Sequence, residues 1–179
     1  GTTGKPKGVV VEHRSVVNIV TWFARTYDIK TGDNILQMSD FTFDASVNQF
    51  FGTLLHGGTL HIVSRSRLMD IQWLRDYIAN HRINILNFVP QHIFALLGEG
   101  PRLESVRAVL SGAERLDDSI KEKLITKGYS LYNQYGPTET TIDALTGQCK
   151  TGVPVNLGKP VSNSRSYILD NAGNPVPLG

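Results

Sequence analysis

With 179 residues, 40% of them hydrophobic and 19% charged, the chain is long enough for one buried core and has an ordinary globular composition. Its net charge of +2 comes with both signs interspersed and no basic stripe, which speaks against a nucleic-acid partner. Cys149 stands alone, so neither a disulfide framework nor a cysteine metal cluster is expected, which fits a reducing cytosol; no apolar run approaches the roughly 18 residues of a membrane span.

The chain opens on a Gly/Thr/Lys loop, Gly1 to Gly8 (GTTGKPKG), followed by a β-branched run at 8–12 that predicts a strand. Residues 15–27 carry apolar side chains at helical spacing (Val16, Val17, Ile19, Val20, Phe23), with Ser15 as the expected cap. The pattern then alternates: strand 34–38, helix 45–55, a Gly57-Gly58 break, strand 59–63, helix 70–81, strand 84–89, and a helix opened by Pro90 and ending near Leu97. Strand 106–110, helix 117–126 and strand 129–132 complete the series. Strands alternating with helices of this length predict an α/β fold, a doubly wound and mostly parallel sheet with helices on both faces. Past Asp143 the pieces turn short and β-rich (144–151, 165–169). The expected organisation is therefore a loop and strand at 1–13, an α/β subdomain at 14–143, and the start of a β-rich subdomain at 144–179. The opening inside a loop and the ending at Pro175 to Gly179 are expected of a piece of a longer protein.

In open α/β sheets ligands sit beyond the carboxyl ends of the strands. Three successive strands end in Asn87-Phe88, Ser111-Gly112-Ala113 and Asn133-Gln134-Tyr135, so small and hydrogen-bonding residues gather where a crevice is expected.

The opening loop is not a Walker P-loop. Pro6 removes an amide and disfavours helix at Lys5, and a strand is expected where that motif needs a helix. What remains are glycines that admit close backbone approach, the Thr2 and Thr3 hydroxyls, and the mobile cations Lys5 and Lys7. The segment 133–141 (NQYGPTETT) offers an aromatic ring at Tyr135, a hydroxyl at Thr138 and a carboxylate at Glu139. These suit a purine, a phosphate and Mg²⁺, a cation that favours one or two carboxylates plus substrate phosphates. Its bland reading is a strand end entering a Gly136-Pro137 turn. Asp44, in Phe43-Asp44-Ala45-Ser46, stands where a loop enters a helix and could equally serve as an ordinary N-cap. His13, His56, His61, His81 and His92 show no metal-ligand spacing.

Together, 1–8, 43–46 and 133–139 resemble the signatures of adenylate-forming, AMP-binding enzymes, and most closely the amino-acid adenylation domains of nonribosomal peptide synthetases. The resemblance runs through nearly the whole chain. It implies ATP and Mg²⁺ as cofactors, formation of aminoacyl-AMP, and transfer to the phosphopantetheine thiol of a peptidyl carrier domain, with a condensation domain in the same assembly line. It implies that Thr2, Thr3, Gly4 and Lys7 steer the pyrophosphate, and that Gly112, Ala113, Asn133, Tyr135, Gly136 and Thr138 hold the nucleotide. Lys7, Thr138 and Glu139 are the implied catalytic residues, Glu139 as the metal ligand. Ala113 departs from the family, which commonly has a glycine there.

The same resemblance makes Asp44 the partner of the substrate α-ammonium, and puts Ala45, Asn48, Asn87, Leu110, Gly112, Gln134, Ile142 and Asp143 around its side chain. Four polar residues in one cavity suit a polar or basic amino acid, since unpaired buried polar groups cost about 1–3 kcal/mol each. An acyl- or aryl-CoA ligase of the same superfamily, and a piece that holds the pocket without catalysing, are the alternatives. The isolated chain is expected to be inactive.

Overall fold

A strand buried on both faces needs apolar side chains on both, and the strands here alternate between two apolar clusters. In the computed structural model, which describes residues 8–176, Ile35, Ile85, Ala108 and Leu110 pack on one face of a sheet, and Leu36, Leu86, Val109 and Leu131 on the other. The strands are β1 (Asn34–Gln37), β2 (Thr59–Ile62), β3 (Ile85–Phe88), β4 (Ala108–Ser111), β5 (Leu131–Tyr135), β6 (Leu145–Gln148) and β7 (Lys159–Pro160). They form one sheet in the order β2-β1-β3-β4-β5-β6-β7; the first five are parallel, while β6 and β7 are antiparallel to their neighbours.

The chain leaves β1 toward β2, then returns to the other side of β1 to lay down β3. Right-handed crossovers that reverse direction must place their helices on opposite faces. Accordingly α1 (His13–Thr26) and α2 (Ala45–Leu54) contribute to the cluster around Ile35. On the other face lie α3 (Arg65–Met69), α4 (Ile71–Asn80), α5 (Pro90–Leu97) and α6 (Asp118–Thr126), around Leu36. The expected mostly parallel, doubly wound sheet is thus the fold. None of the helices of the described residues is long and apolar enough to cross a membrane.

Several local expectations are corrected. Residues 8–12 form no strand: a β-branched run becomes one only against a partner, none of the described residues pairs with it, and Val10 is 99% exposed. Helix α1 starts at His13 rather than Ser15, with Glu12 at the N-cap and no side-chain cap bond. The helix expected at 70–81 is α4, capped by the Asp70 carboxylate, which accepts from the Trp73 amide at 3.1 Å; the short α3 that precedes it lies outside the expected elements. Strand β5 runs on to Tyr135, and 165–169 contributes only one bridge, Leu169 to Pro175. Within 144–179, β6 and β7 are the antiparallel end of the same sheet, β6 pairing with β5 through Tyr135 and Leu145.

The strand order reverses between β1 and β3, whose registered pairing is confined to Ile35 and Ile85. Beyond that pair a fully buried glutamine of α2 spans the gap. Gln49 Oε1 accepts from the amides of Met38 (2.9 Å) and Ser39 (3.0 Å), and its Nε2 donates to Asn87 O (3.0 Å) and Ser39 Oγ (2.9 Å). Replacing it with the near-isosteric Gln49→Leu leaves two amides and a carbonyl unpaired. The expected loss is about 3 kcal/mol or more in urea denaturation of the intact domain, and a loss under about 1 kcal/mol refutes this role.

Candidate functional site

The topology puts the site beyond the carboxyl ends of the parallel strands, and the larger cavity lies there, at the ends of β4 and β5. Asp44 is the residue before α2, yet its side chain makes no cap hydrogen bond; instead it accepts from Thr138 Oγ1 at 2.6 Å. The N-cap reading of Asp44 is therefore set aside. Thr138 and Glu139 sit on a 3-10 turn (Thr138–Thr140) immediately after β5, so the turn brings two segments 94 residues apart into contact.

One helical turn further, Asn48 is fully buried and its Nδ2 donates to Asp143 Oδ2 at 2.9 Å. Gln134 Nε2 donates to the same oxygen at 3.4 Å and to the Tyr27 hydroxyl at 3.2 Å. Asn48, Gln134 and Asp143 thus form one buried polar group. Burial pushes the Asp143 carboxyl up to about 7, the nearby Asp44 charge adds to this, and the Asn48 hydrogen bond opposes it. Asn48 Oδ1 is buried without a partner. Asn87 is also buried at the end of β3, while Ala45 is half-buried against the α1 cluster. Leu110, by contrast, packs within that cluster, and Ile142 joins it too. Asp143 also borders a cavity of about 360 Å³ lined by Arg14, Asn18, Ile19, Thr141 and Val161, a set the sequence pattern did not indicate.

On the far side of Gln134 lies a cavity of about 630 Å³, within the range of small-molecule sites. Of the residues expected at the nucleotide, Ala113, Asn133, Tyr135 and Gly136 line it and Gly112 and Thr138 do not; Gln134, expected at the amino-acid side chain, lines it too, with Glu114, Arg115, Asn156 and Leu157. Tyr135 is half-exposed along this cavity. Asn133 Nδ2 holds the 156–158 loop through Asn156 O at 2.9 Å. Gly112 is tucked beside Gln134, where a Cβ would lie 3.4 Å from the Gln134 Cβ.

The turn that delivers these groups is tight. A Cβ on Gly136 would come within 2.2 Å of Ile142 O, so only glycine fits. Thr141 and Ile142 both hold positive φ (66° and 72°), a costly conformation for β-branched residues, and Ala113 does likewise at 66°. Such strain persists only where surrounding packing enforces it. Thr2, Thr3, Gly4 and Lys7 lie outside the described residues. Among the described residues no three His, Cys, Asp or Glu side chains gather as a metal cage. Glu139 is a single exposed carboxylate beside Thr138, an oxygen donor that fits a cation completing its shell with phosphate and water.

The raised pKa of Asp143 makes stability depend on pH. Its contribution is fully present below the unfolded value near 4 and is lost as pH rises through about 7. Asp143→Asn is expected to raise the Tm by more at pH 8.5 than at pH 5; an equal shift at both contradicts the buried-carboxylate account.

A family model described as AMP-binding enzyme matches residues 1–179. Malpinin synthetase of Mortierella alpina is 37% identical over 188 residues, spanning 100% of this chain and 2% of its own length. Phosphinothricin tripeptide synthetase PhsB of Streptomyces viridochromogenes is 36% identical over 184 residues, with 100% and 16% covered. The chain is thus a small part of the length of these relatives. Among solved structures, the Vibrio cholerae adenylation domain AlmE in complex with glycyl-adenosine-5'-phosphate superposes with a TM-score of 0.87 at 25% identity, covering 100% of this chain and 36% of that one. The nonribosomal peptide synthetase FmoA3 with alpha-methyl-L-serine-AMP bound gives 0.88 at 29%, with 98% and 21% covered.

Proposed function

Because the chain belongs to the AMP-binding enzyme family, we propose that it carries the amino-acid and nucleotide sites of an ATP-dependent amino-acid-activating enzyme of nonribosomal peptide synthesis. The observation that carries this reading is the 2.6 Å hydrogen bond from Thr138 Oγ1 to Asp44 Oδ2. An α-amino acid presents an ammonium and a carboxylate on one carbon. An ammonium anchor in contact with a phosphate anchor therefore sets the carboxylate beside the α-phosphate of ATP. The relatives and structural neighbours, peptide synthetases and adenylation domains with aminoacyl adenylates, support the same class.

In this mechanism Asp44 binds the α-ammonium and Thr138 hydrogen-bonds the α-phosphate. A carboxylate oxygen of the substrate then attacks the α-phosphorus, the bond to pyrophosphate breaks, and aminoacyl-AMP remains. Holding both reactants in one crevice removes most of the entropic barrier to their encounter. Tyr135 stacks on the adenine in the larger cavity, flanked by Gly112, Ala113, Asn133 and Gly136. Glu139 would hold Mg²⁺, which when bound would neutralise phosphate charge. Lys7, with Thr2, Thr3 and Gly4, is assigned the departing pyrophosphate. Transfer of the acyl group to the phosphopantetheine thiol of a peptidyl carrier domain, with a condensation domain alongside, completes the proposed cycle.

For the side chain we propose a polar amino acid, basic or amide-bearing by preference. Asn48, Gln134 and Asp143 form one buried polar group, Asn87 is buried at the end of β3, and the unpaired Asn48 Oδ1 gains a partner from a polar side chain and none from an aliphatic one. The carboxylate of Asp143 favours a cation once ionised.

In the intact enzyme, Asp44→Ala is expected to abolish amino-acid-dependent ATP–pyrophosphate exchange while ATP still binds. Robust exchange with substrates lacking an α-amino group, unaffected by that change, marks an acyl- or aryl-CoA ligase instead. Glu139→Gln is expected to lower exchange by about 100-fold or more, and near-normal exchange removes Glu139 from the site.

Charge at Asp143 separates the two preferred side-chain classes. Protons compete with a cation below its pKa of about 7, so KM for a basic amino acid rises about tenfold per pH unit there, while KM for glutamine or asparagine stays nearly flat. A pH-independent KM for a basic substrate contradicts a direct pairing with Asp143.

A further inference from the structure

Tyr27, just past the end of α1, has no place in the family signatures, yet its hydroxyl reaches the side-chain pocket. It is 2% exposed, with its ring edge-on to Phe23, Trp22 and Tyr132 at centroid distances of 5.1, 6.0 and 5.2 Å. Arg107 bonds the carbonyls of Tyr27 and Asp28 and pairs with Asp33 at 2.7 Å, so the backbone beneath the ring is held as well.

The proton directions around that hydroxyl follow from simple counting. Thr146 has one hydroxyl proton, given to Asn133 O at 3.3 Å, so at the 3.2 Å contact with Thr146 Oγ1 it is Tyr27 that donates. The phenol oxygen is then free to accept from Gln134 Nε2 at 3.2 Å. Burial, the leading cause, raises the Tyr27 pKa and keeps this donor protonated. The Gln134 amide spends one N–H on Tyr27 and points the other toward Asp143 Oδ2, which also takes the Asn48 amide. Gln134 has therefore turned both its N–H groups inward, and Asn48 one of its two. Asn48 Oδ1 is buried without a partner, and Gln134 Oε1 and, once Asp143 is ionised, Asp143 Oδ1 are acceptors that the hydrogen bonds of this group do not use.

We propose that Tyr27 is a positioning residue for substrate selection: its hydroxyl fixes the orientation of the Gln134 amide, and the Asn48–Asp143–Gln134–Tyr27 chain thereby presents an accepting pocket that selects hydrogen-bond-donating side chains. The proposal rests on the amino-acid-pocket reading above and adds a residue to it. Without the phenol, one Gln134 N–H loses its partner and the amide is free to turn over, offering a donor where an acceptor stood.

The test is amino-acid-dependent ATP–pyrophosphate exchange by the intact enzyme at pH 8, with Tyr27→Phe compared against wild type. Two matched pairs are followed, glutamine against glutamate and lysine against norleucine. The readout is the ratio of kcat/KM within whichever pair contains the better substrate. Tyr27→Phe keeps the ring packing, and the ratio is expected to fall about tenfold with KM for ATP unchanged, one hydrogen bond's worth of discrimination. Thr146→Val, which removes the acceptor for the phenol proton, is expected to shift the ratio in the same direction. A merely structural role lowers Tm and slows both members of a pair alike, and that outcome overturns the proposal, as does an unchanged ratio in both variants. Those results leave the polar-pocket reading standing. A wild type that turns over leucine, valine or phenylalanine as well as every polar amino acid overturns both.

Discussion

The four hydrogen bonds of Gln49 are the constraint on which the rest depends. A doubly wound sheet splits its direction at one place, and there two neighbouring strands diverge with backbone groups left over. Gln49 serves both sides of the split, accepting from the end of β1 and donating to Ser39 Oγ and the end of β3. A buried amide with every polar atom satisfied is both rigid and specifying. The residue sits on α2, so the same bonds fix the rotation of that helix about its axis. Asn48 and Asp44, on the turn before it, inherit their positions from this anchor, and the crevice is pinned at its narrowest point.

Around that anchor the electrostatics are arranged by burial more than by ion pairing. Asp143 has no cation among its described partners; its charge is opposed by desolvation and by Asp44, and supported only by amide donors. Such a carboxylate is poorly solvated and gains from any donor that arrives with a substrate. The unpaired Asn48 Oδ1 belongs to the same economy of withheld partners. Elsewhere the fold satisfies its buried charges locally. Lys121, nearly fully buried on α6, has Asp118 and Glu122 at 2.9 Å and also donates to Val153 O, tying the loop after β6 to the helix.

The β5–β6 connection shows where conformational strain is spent. Thr141 and Ile142 adopt left-handed backbone angles that neither favours, and the carbonyl of Ile142 presses against Gly136. The gain is geometric. Within this short connection the chain leaves β5, exposes Thr138 and Glu139 on a 3-10 turn, and returns to bury Asp143 beside Gln134. A relaxed loop would separate the phosphate-facing and side-chain-facing groups that the tight turn keeps together.

The sequence by itself determined the architecture and the chemical class, because both are written in local patterns. Short apolar strands alternating with amphipathic helices specify a doubly wound parallel sheet, and the rule that ligands sit beyond strand ends points to Asn87, Gly112 and Gln134. The short motifs at 1–8, 43–46 and 133–139 carried the family, which the match to the AMP-binding enzymes bears out. Other things were decided only by tertiary structure, because they depend on groups far apart in the chain. That Asp44 meets Thr138 rather than capping α2 is set by how the β5 turn docks on α2. Gln49 and Tyr27 look like ordinary helix and core residues until β1, β3 and β6 are assembled around them. Residues 8–12 make the same point in reverse: β-branched composition promised a strand, but a strand is a relation between two segments, and among the described residues no partner supplies it.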